Sequence, residues 1–188
     1  MNDPHDLSLK SPTIPVVRKE VHVSPEDILA AKRDFPWRSP LGLAEATQDI
    51  IRDKVVCDLG CGEGDQMREM QRYAKSVIGI EKTSRANLAD GLDVTVGDWT
   101  QFMPEAEVYH MWINPFVIYD AIELLQDKDC TLLAGGYRCE PYMEDLAKKY
   151  DATVIEWAYD EPGGDDKEKH APWKFNYCWW AVVLEFSK

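Results

Sequence analysis

The chain contains no run of eighteen or more apolar residues, so no segment reads as a helix long enough to cross a bilayer. Its opening, Met1 to Lys10, is acidic and polar and lacks the basic start and apolar middle of a secretory leader. The expected compartment is therefore the cytosol. No Cys-x-x-Cys pair occurs. The five cysteines (Cys57, Cys61, Cys130, Cys139 and Cys178) are odd in number, and His5, His22, His110 and His170 do not cluster with them. A zinc site needs ligands at short spacings, so no metal is expected and the cysteines read as reduced, packed thiols. Basic residues are scarce as well. The 21 Lys and Arg face 34 Asp and Glu, a net charge of −13. Such a surface repels phosphate backbones, and no basic patch stands out, which argues against a nucleic-acid partner and for a small-molecule or protein one.

What is present suits a globular domain. With 188 residues, 45% hydrophobic, the chain is long enough for one full core and too short for two large ones. Residues 1–23 carry Pro4, Pro12 and Pro15 and no regular apolar period, and read as a mobile tail. Ser24-Pro25-Glu26-Asp27 has the signature of a helix start, a capping serine followed by proline at the first helical position and acids at the positive helix end. Ser39-Pro40 opens a second helix in the same way, so 24–53 reads as a helical segment that can serve as a lid.

From Lys54 onward strands alternate with helices. The expected strands are 55–59, 76–80, 92–96, 107–113 and 130–134; the helices between and after them cover 66–73, 83–89, 117–126 and 140–150. That alternation predicts a parallel sheet covered on both faces, a three-layer α/β/α sandwich. The end of the chain departs from it. Residues 152–159 and 174–186 both read as strands, and the polar loop between them, Glu161-Pro162-Gly163-Gly164-Asp165-Asp166, leaves no room for a helix, which predicts an antiparallel pair.

The most informative segment is Val55-Val56-Cys57-Asp58-Leu59-Gly60-Cys61-Gly62-Glu63-Gly64-Asp65. A buried strand runs into a glycine-rich turn and then a helix, the arrangement that holds a nucleotide-like ligand at the carboxyl end of a parallel strand. The spacing is G-x-G-x-G, not the G-x-G-x-x-G of dinucleotide binders, and Asp58 stands two residues before the first glycine. Further acids follow at strand ends: Glu81 after Ile78-Gly79-Ile80, and Asp98 after Val96-Gly97. The fourth expected strand ends at Asn114-Pro115-Phe116.

This ordered set resembles the class I, seven-strand S-adenosylmethionine-dependent methyltransferases over 54–188. The resemblance implies a Rossmann-like, mostly parallel seven-stranded sheet in the order 3-2-1-4-5-7-6 with a C-terminal antiparallel hairpin. It also implies S-adenosyl-L-methionine as the cofactor. Gly60 and Gly62, with Cys61 between them, would approach the methionine moiety, and Asp58 would orient the turn and face the ammonium group. Glu81 would accept hydrogen bonds from the ribose hydroxyls, with Lys82 beside it. Asp98 would meet the adenine amino group, and Trp99 would cover the adenine face. Asn114 would stand at the acceptor site as the catalytic candidate. Asn114-Pro115-Phe116 resembles the Asn-Pro-Pro-Tyr/Phe motif of amino-group methyltransferases without its second proline, and the region around Tyr109 to Asn114 is loosely similar to small lysine methyltransferases.

The expected activity is therefore methyl transfer to a small-molecule or protein acceptor, with an amino group as one candidate. Three alternatives stand beside it: a module that binds the cofactor without catalysis and works with a partner subunit, a nucleic-acid base methyltransferase, and an NAD-dependent or nucleotide-sugar enzyme. His110 reads as a hydrogen-bonded core residue of its strand. Trp173, Phe175, Tyr177, Trp179 and Trp180 read mostly as core at strand spacing, with a rim cage for a methylammonium group as the other reading. Trp37 and Arg38 fit a lid, and the 160–173 loop fits either a closing loop or a plain hairpin tip.

Overall fold

The computed structural model describes residues 14–22, 24, 41–112, 117–137, 141–158 and 179–187. Strands β1 (Val16–Glu20), β2 (Val55–Leu59), β3 (Ser76–Glu81), β4 (Val94–Val96), β5 (Val108–Trp112), β6 (Cys130–Tyr137), β7 (Thr153–Ala158) and β8 (Trp179–Phe186) form one sheet in the order β1-β7-β8-β6-β5-β2-β3-β4. Among the described helices are α1 (Leu43–Ala46), α2 (Gln48–Ile51), α3 (Asp65–Met70), α4 (Ile118–Leu125) and α5 (Pro141–Lys149), with a 3-10 helix at Ser84–Leu88.

Within 54–188 the strands stand in the expected order. Counting β2 as the first, the row reads 3-2-1-4-5-7-6. Its pairings are parallel except those of β8, which runs antiparallel to both β6 and β7. An eighth strand, β1, extends the sheet beyond β7 in parallel register, from Val16 opposite Val154 to Glu20 opposite Ala158.

That strand corrects the reading of 1–23 as a tail. Residues 16–20 are part of the sheet. Their outward pattern is mostly exposed, with Val16 and Val17 at 38% and 44% accessibility, so no buried apolar face marks them in sequence. They are held by the ladder to β7 and by two ion pairs, Arg18 Nε to Glu156 Oε2 at 2.9 Å and Lys19 Nζ to Asp49 Oδ2 at 2.7 Å. Basic side chains on an edge strand also discourage pairing with other chains. The helix expected from Ser24 and the lid residues Trp37 and Arg38 lie outside the described residues.

Period-two alternation sends side chains to two separate cores, one per sheet face. On one face Cys57, Leu59, Tyr109, Met111, Leu132 and Ala134 pack with Ile118, Ile122 and Leu125 of α4 and with Met143 and Leu146 of α5. On the other, Val56, Val108, Leu133, Ile155, Ala181 and Val183 pack with Leu43 of α1, Ile51 of α2 and Met67 and Met70 of α3. Two faces covered by helices make the α/β/α sandwich. Each fully buried Leu or Met contributes on the order of 1.5–3 kcal/mol. Strand β2 is a near-continuous apolar run because both its faces are covered, with one exception. Asp58 is buried at 3% accessibility in the middle of the sheet.

Candidate functional site

The carboxyl ends of β2, β3, β4 and β5 lie side by side, which brings the turn after β2 next to Glu81 and the loop after β4. The turn is built by backbone hydrogen bonds across to β3: the Gly60 and Cys61 N–H groups donate to the Ile80 carbonyl at 2.8 and 3.1 Å. Gly60 has φ +75° and Gly62 φ +57°, conformations that L side chains rarely adopt. A Cβ at either position would meet nothing within 4 Å. Packing therefore does not demand glycine there. The backbone conformation does, and the space above it is open to a ligand.

Glu81 ties the turn to the end of β3. Its Oε2 accepts from the Gly62 N–H at 2.9 Å and its Oε1 from the Thr83 N–H at 2.8 Å. Burial by itself pushes this carboxyl up, but the hydrogen bonds from Thr83 and Gly62, with the charge of Arg85, outweigh that and hold its pKa below the ordinary value. Glu81 is thus a buried, anionic group. One of its oxygens has the Gly62 N–H as donor and the other the Thr83 N–H, with the Thr83 side chain as a further donor to the carboxylate.

Asp98 follows β4, whose loop is anchored to β3 by the Gly97 N–H donating to the Glu81 carbonyl at 3.1 Å. Its Oδ1 accepts from the Thr100 hydroxyl at 2.7 Å and the Thr100 N–H at 3.0 Å. Those bonds, with Lys82 nearby, lower its pKa. Lys82 Nζ stands 3.9 Å from Asp98 Oδ2, linking the ends of β3 and β4. Trp99 is partly buried against the core beneath α4 and α5. Cys61 sits in the turn with its Sγ turned inward, 2.6 Å from where a Cβ on Gly79 would stand. Burial, joined by the charges of Asp58 and Glu81, pushes its thiol up to about 12. Cys57, one residue before Asp58, is raised to about 12 by burial and by that same carboxylate.

Asp58 has a partner that sequence reading did not assign. In the β2–β5 register it stands opposite His110, and His110 Nδ1 lies 2.8 Å from Asp58 Oδ1 with both side chains buried. The expectation of a hydrogen-bonded core histidine named no bonding partner, because the pair is 52 residues apart in the chain. The sole sequence signal is a histidine in an otherwise apolar strand. Asn114 lies outside the described residues, as do Phe116, Trp37, Arg38, Trp173, Phe175, Tyr177 and the 160–173 loop. Among the described residues no group of three or more His, Cys, Asp and Glu is arranged to hold a metal, and no helix is long and apolar enough to cross a membrane.

The described residues therefore offer a glycine turn with open space above it, an anionic carboxylate at the next strand end, and a second carboxylate one strand further. Both carboxylates can accept hydrogen bonds from a ligand's hydroxyl or amino groups.

No protein-family model matches the chain, and no curated protein matches it in sequence. Solved structures do share its architecture. An RNA-methyltransferase candidate from Pyrococcus horikoshii is 14% identical, with a TM-score of 0.56 over 87% of this chain and 98% of that one. The 1,6-didemethyltoxoflavin-N1-methyltransferase of Burkholderia thailandensis, solved with 1,6-didemethyltoxoflavin and S-adenosylhomocysteine bound, is 13% identical, with a TM-score of 0.54 over 87% of each chain. The C-terminal domain of a precorrin-6Y C5,15-methyltransferase from Rhodobacter capsulatus is 16% identical, with a TM-score of 0.53 over 77% of this chain and 86% of that one. At these identities the likeness concerns the path of the chain, and the fold is the α/β/α sandwich that these methyltransferases share.

Proposed function

We propose that this chain is a methyltransferase that uses S-adenosylmethionine, and that the turn of Gly60 to Gly62 with Glu81 and Asp98 is its cofactor site. The observation that carries the reading is the coupling of Glu81 to Gly62. A buried carboxylate at the end of the next strand holds the glycine turn, over which a Cβ at Gly60 or Gly62 would meet nothing within 4 Å. In this reading the turn approaches the methionine part, Asp58 supplies negative charge toward its ammonium group, and Glu81 accepts from the ribose hydroxyls. Lys82 and Asp98 border the adenine, and Trp99 lies beside it.

The bound cofactor would supply an activated methyl group on a sulfonium. The chain's own work is then to bind, to align donor with acceptor, to exclude water and to receive a proton where the acceptor has one to lose. The acceptor is a small molecule or protein, with an amino group as the first candidate and Asn114 at the acceptor side. A net charge of −13 supports that choice. The nucleic-acid reading has its own support, since the Pyrococcus horikoshii structure and a 23S rRNA methyltransferase share the fold.

Calorimetric titration with S-adenosylhomocysteine, with NAD as control, tests the cofactor. Micromolar binding of the first and none of the second is expected. Binding of NAD alone, or of neither, overturns the reading. Filter assays of tritiated methyl transfer to lysine peptides, small amines and RNA then sort the acceptor classes, and turnover on RNA alone would replace the amino-acceptor reading.

A further inference from the structure

His110 is the least explained polar group among the described residues. Its side chain is 1% accessible, and its Nδ1 is occupied by Asp58 Oδ1 at 2.8 Å. Its other ring nitrogen, Nε2, is buried and has no hydrogen-bond partner among the described residues. An unsatisfied buried nitrogen costs on the order of 1–3 kcal/mol, and native structures rarely carry one without a use for it.

The geometry defines what Nε2 can do. A carboxylate only accepts, so Asp58 takes the hydrogen bond of the Nδ1 proton, and in the neutral ring Nε2 is then the nitrogen with the lone pair. His110 stands between β2 and β6, opposite Asp58 on one side and Leu133 on the other. Because Nδ1 reaches back to β2, Nε2 is aimed toward β6. There the next position on the same face is Gly135, and a Cβ on it would lie 3.6 Å from Nε2. The Trp112 ring comes to the same place, with its Cε3 and Cζ3 3.2 Å from that point, so the space a side chain at Gly135 would fill is bordered by both Nε2 and the Trp112 ring. Trp112 is the last residue of β5, partly buried, with its ring edge-on to that of Trp179 at 6.2 Å between centroids. The place is near the carboxyl end of the strand beside the cofactor turn, where ligands of open α/β sheets bind.

We propose that His110 Nε2 receives the hydrogen bond, and then the proton, of the group that accepts the methyl, with Asp58 as its positioning residue and Trp112 as its cover. The inference rests on the methyltransferase reading and narrows it to acceptors that carry a proton on the nucleophilic nitrogen or oxygen. On transfer, the acceptor's lone pair forms the bond to the methyl carbon. The carbon–sulfur bond breaks with its electron pair left on sulfur. The acceptor's N–H or O–H bond gives its proton to Nε2, and Asp58 faces the resulting imidazolium charge.

The test uses full-length protein labelled with 15N-histidine, with S-adenosylhomocysteine present, and two probes: phenol, a ring with an O–H donor, and anisole, the same ring without one. His110→Asn, which keeps a donor toward Asp58, identifies the His110 signals by their loss. At pH 8 the expected spectrum has His110 protonated on Nδ1 and bare on Nε2. Phenol should shift the Nε2 signal saturably and anisole should not, and Trp112→Ala should strengthen the phenol response. A proton found on Nε2 overturns the proposal. So does an equal response to both probes, or no response to phenol in either wild type or Trp112→Ala. Failure of S-adenosylhomocysteine to bind would instead overturn the cofactor reading, and the His110 spectrum remains readable without it.

Discussion

Glu81 and Gly62 are joined across two strand ends: the Gly62 N–H donates to Glu81 Oε2 at 2.9 Å, while the other oxygen of Glu81 holds the Thr83 N–H. The carboxylate is thus a structural member of the glycine turn as well as a candidate ribose acceptor. Glu81→Ala removes both roles. Its expected effect is a loss of ~1–3 kcal/mol in S-adenosylhomocysteine binding, roughly 5- to 150-fold in affinity. Calorimetry checks this, and an unchanged affinity would remove Glu81 from the site.

The same contact gives the sign of a pH effect. The Glu81 pKa in the folded chain lies below its reference of 4.5. A depressed carboxyl contributes stability above the reference value and loses it as pH falls through the folded value. Denaturant midpoints should therefore hold from neutrality down to about pH 5 and fall below it, and part of that acid loss should vanish in Glu81→Gln. An acid limb of equal depth in the two proteins would contradict this.

Gly60 tests the turn by conformation and space together. A valine at φ +75° is strained by at least ~1–2 kcal/mol and would fill the open region above the turn. Gly60→Val should fold with a lowered melting temperature and fail to bind S-adenosylhomocysteine. Wild-type affinity in the folded variant would show that the ligand does not approach there.

Deletion of residues 1–20 removes β1. The five-residue ladder to β7 and the Arg18–Glu156 pair go with it. At roughly 0.5–1.5 kcal/mol net per hydrogen bond, a loss of ~2–4 kcal/mol is expected, a fall of about 5–15 °C for a chain of this size. Differential scanning calorimetry measures it. A fall under about 2 °C would mean that the strand adds nothing beyond its own ordering entropy.

Thiol chemistry probes the buried strand end. With thiols pushed up to about 12, Cys57 and Cys61 carry far less thiolate at pH 8 than an ordinary cysteine does. Alkylation of the native protein followed by peptide mass spectrometry should leave both unmodified, and denaturation should expose both. Rapid native labelling of Cys61 would show that the turn opens.

Much of this protein is legible in the order of its residues. The alternation from Lys54 onward places strands and helices because a strand buried on both faces must be an apolar run, and glycines with acids at strand ends mark where backbone and carboxylates gather. The row 3-2-1-4-5-7-6 followed from the family resemblance, and the structure has it. Two features were not legible. Strand β1 is exposed and lacks a periodic face, so its place depends on a ladder to residues some 138 positions away, as Arg18 and Glu156 illustrate. The Asp58–His110 pair depends on strand register, which joins residues 52 apart. From Lys54 onward local sequence determines most of the strands, helices and turns, since there the choice is made by neighbouring side chains and backbone conformation. Only the tertiary structure decides which buried polar group meets which, because that contact is made between strands whose adjacency no local pattern encodes.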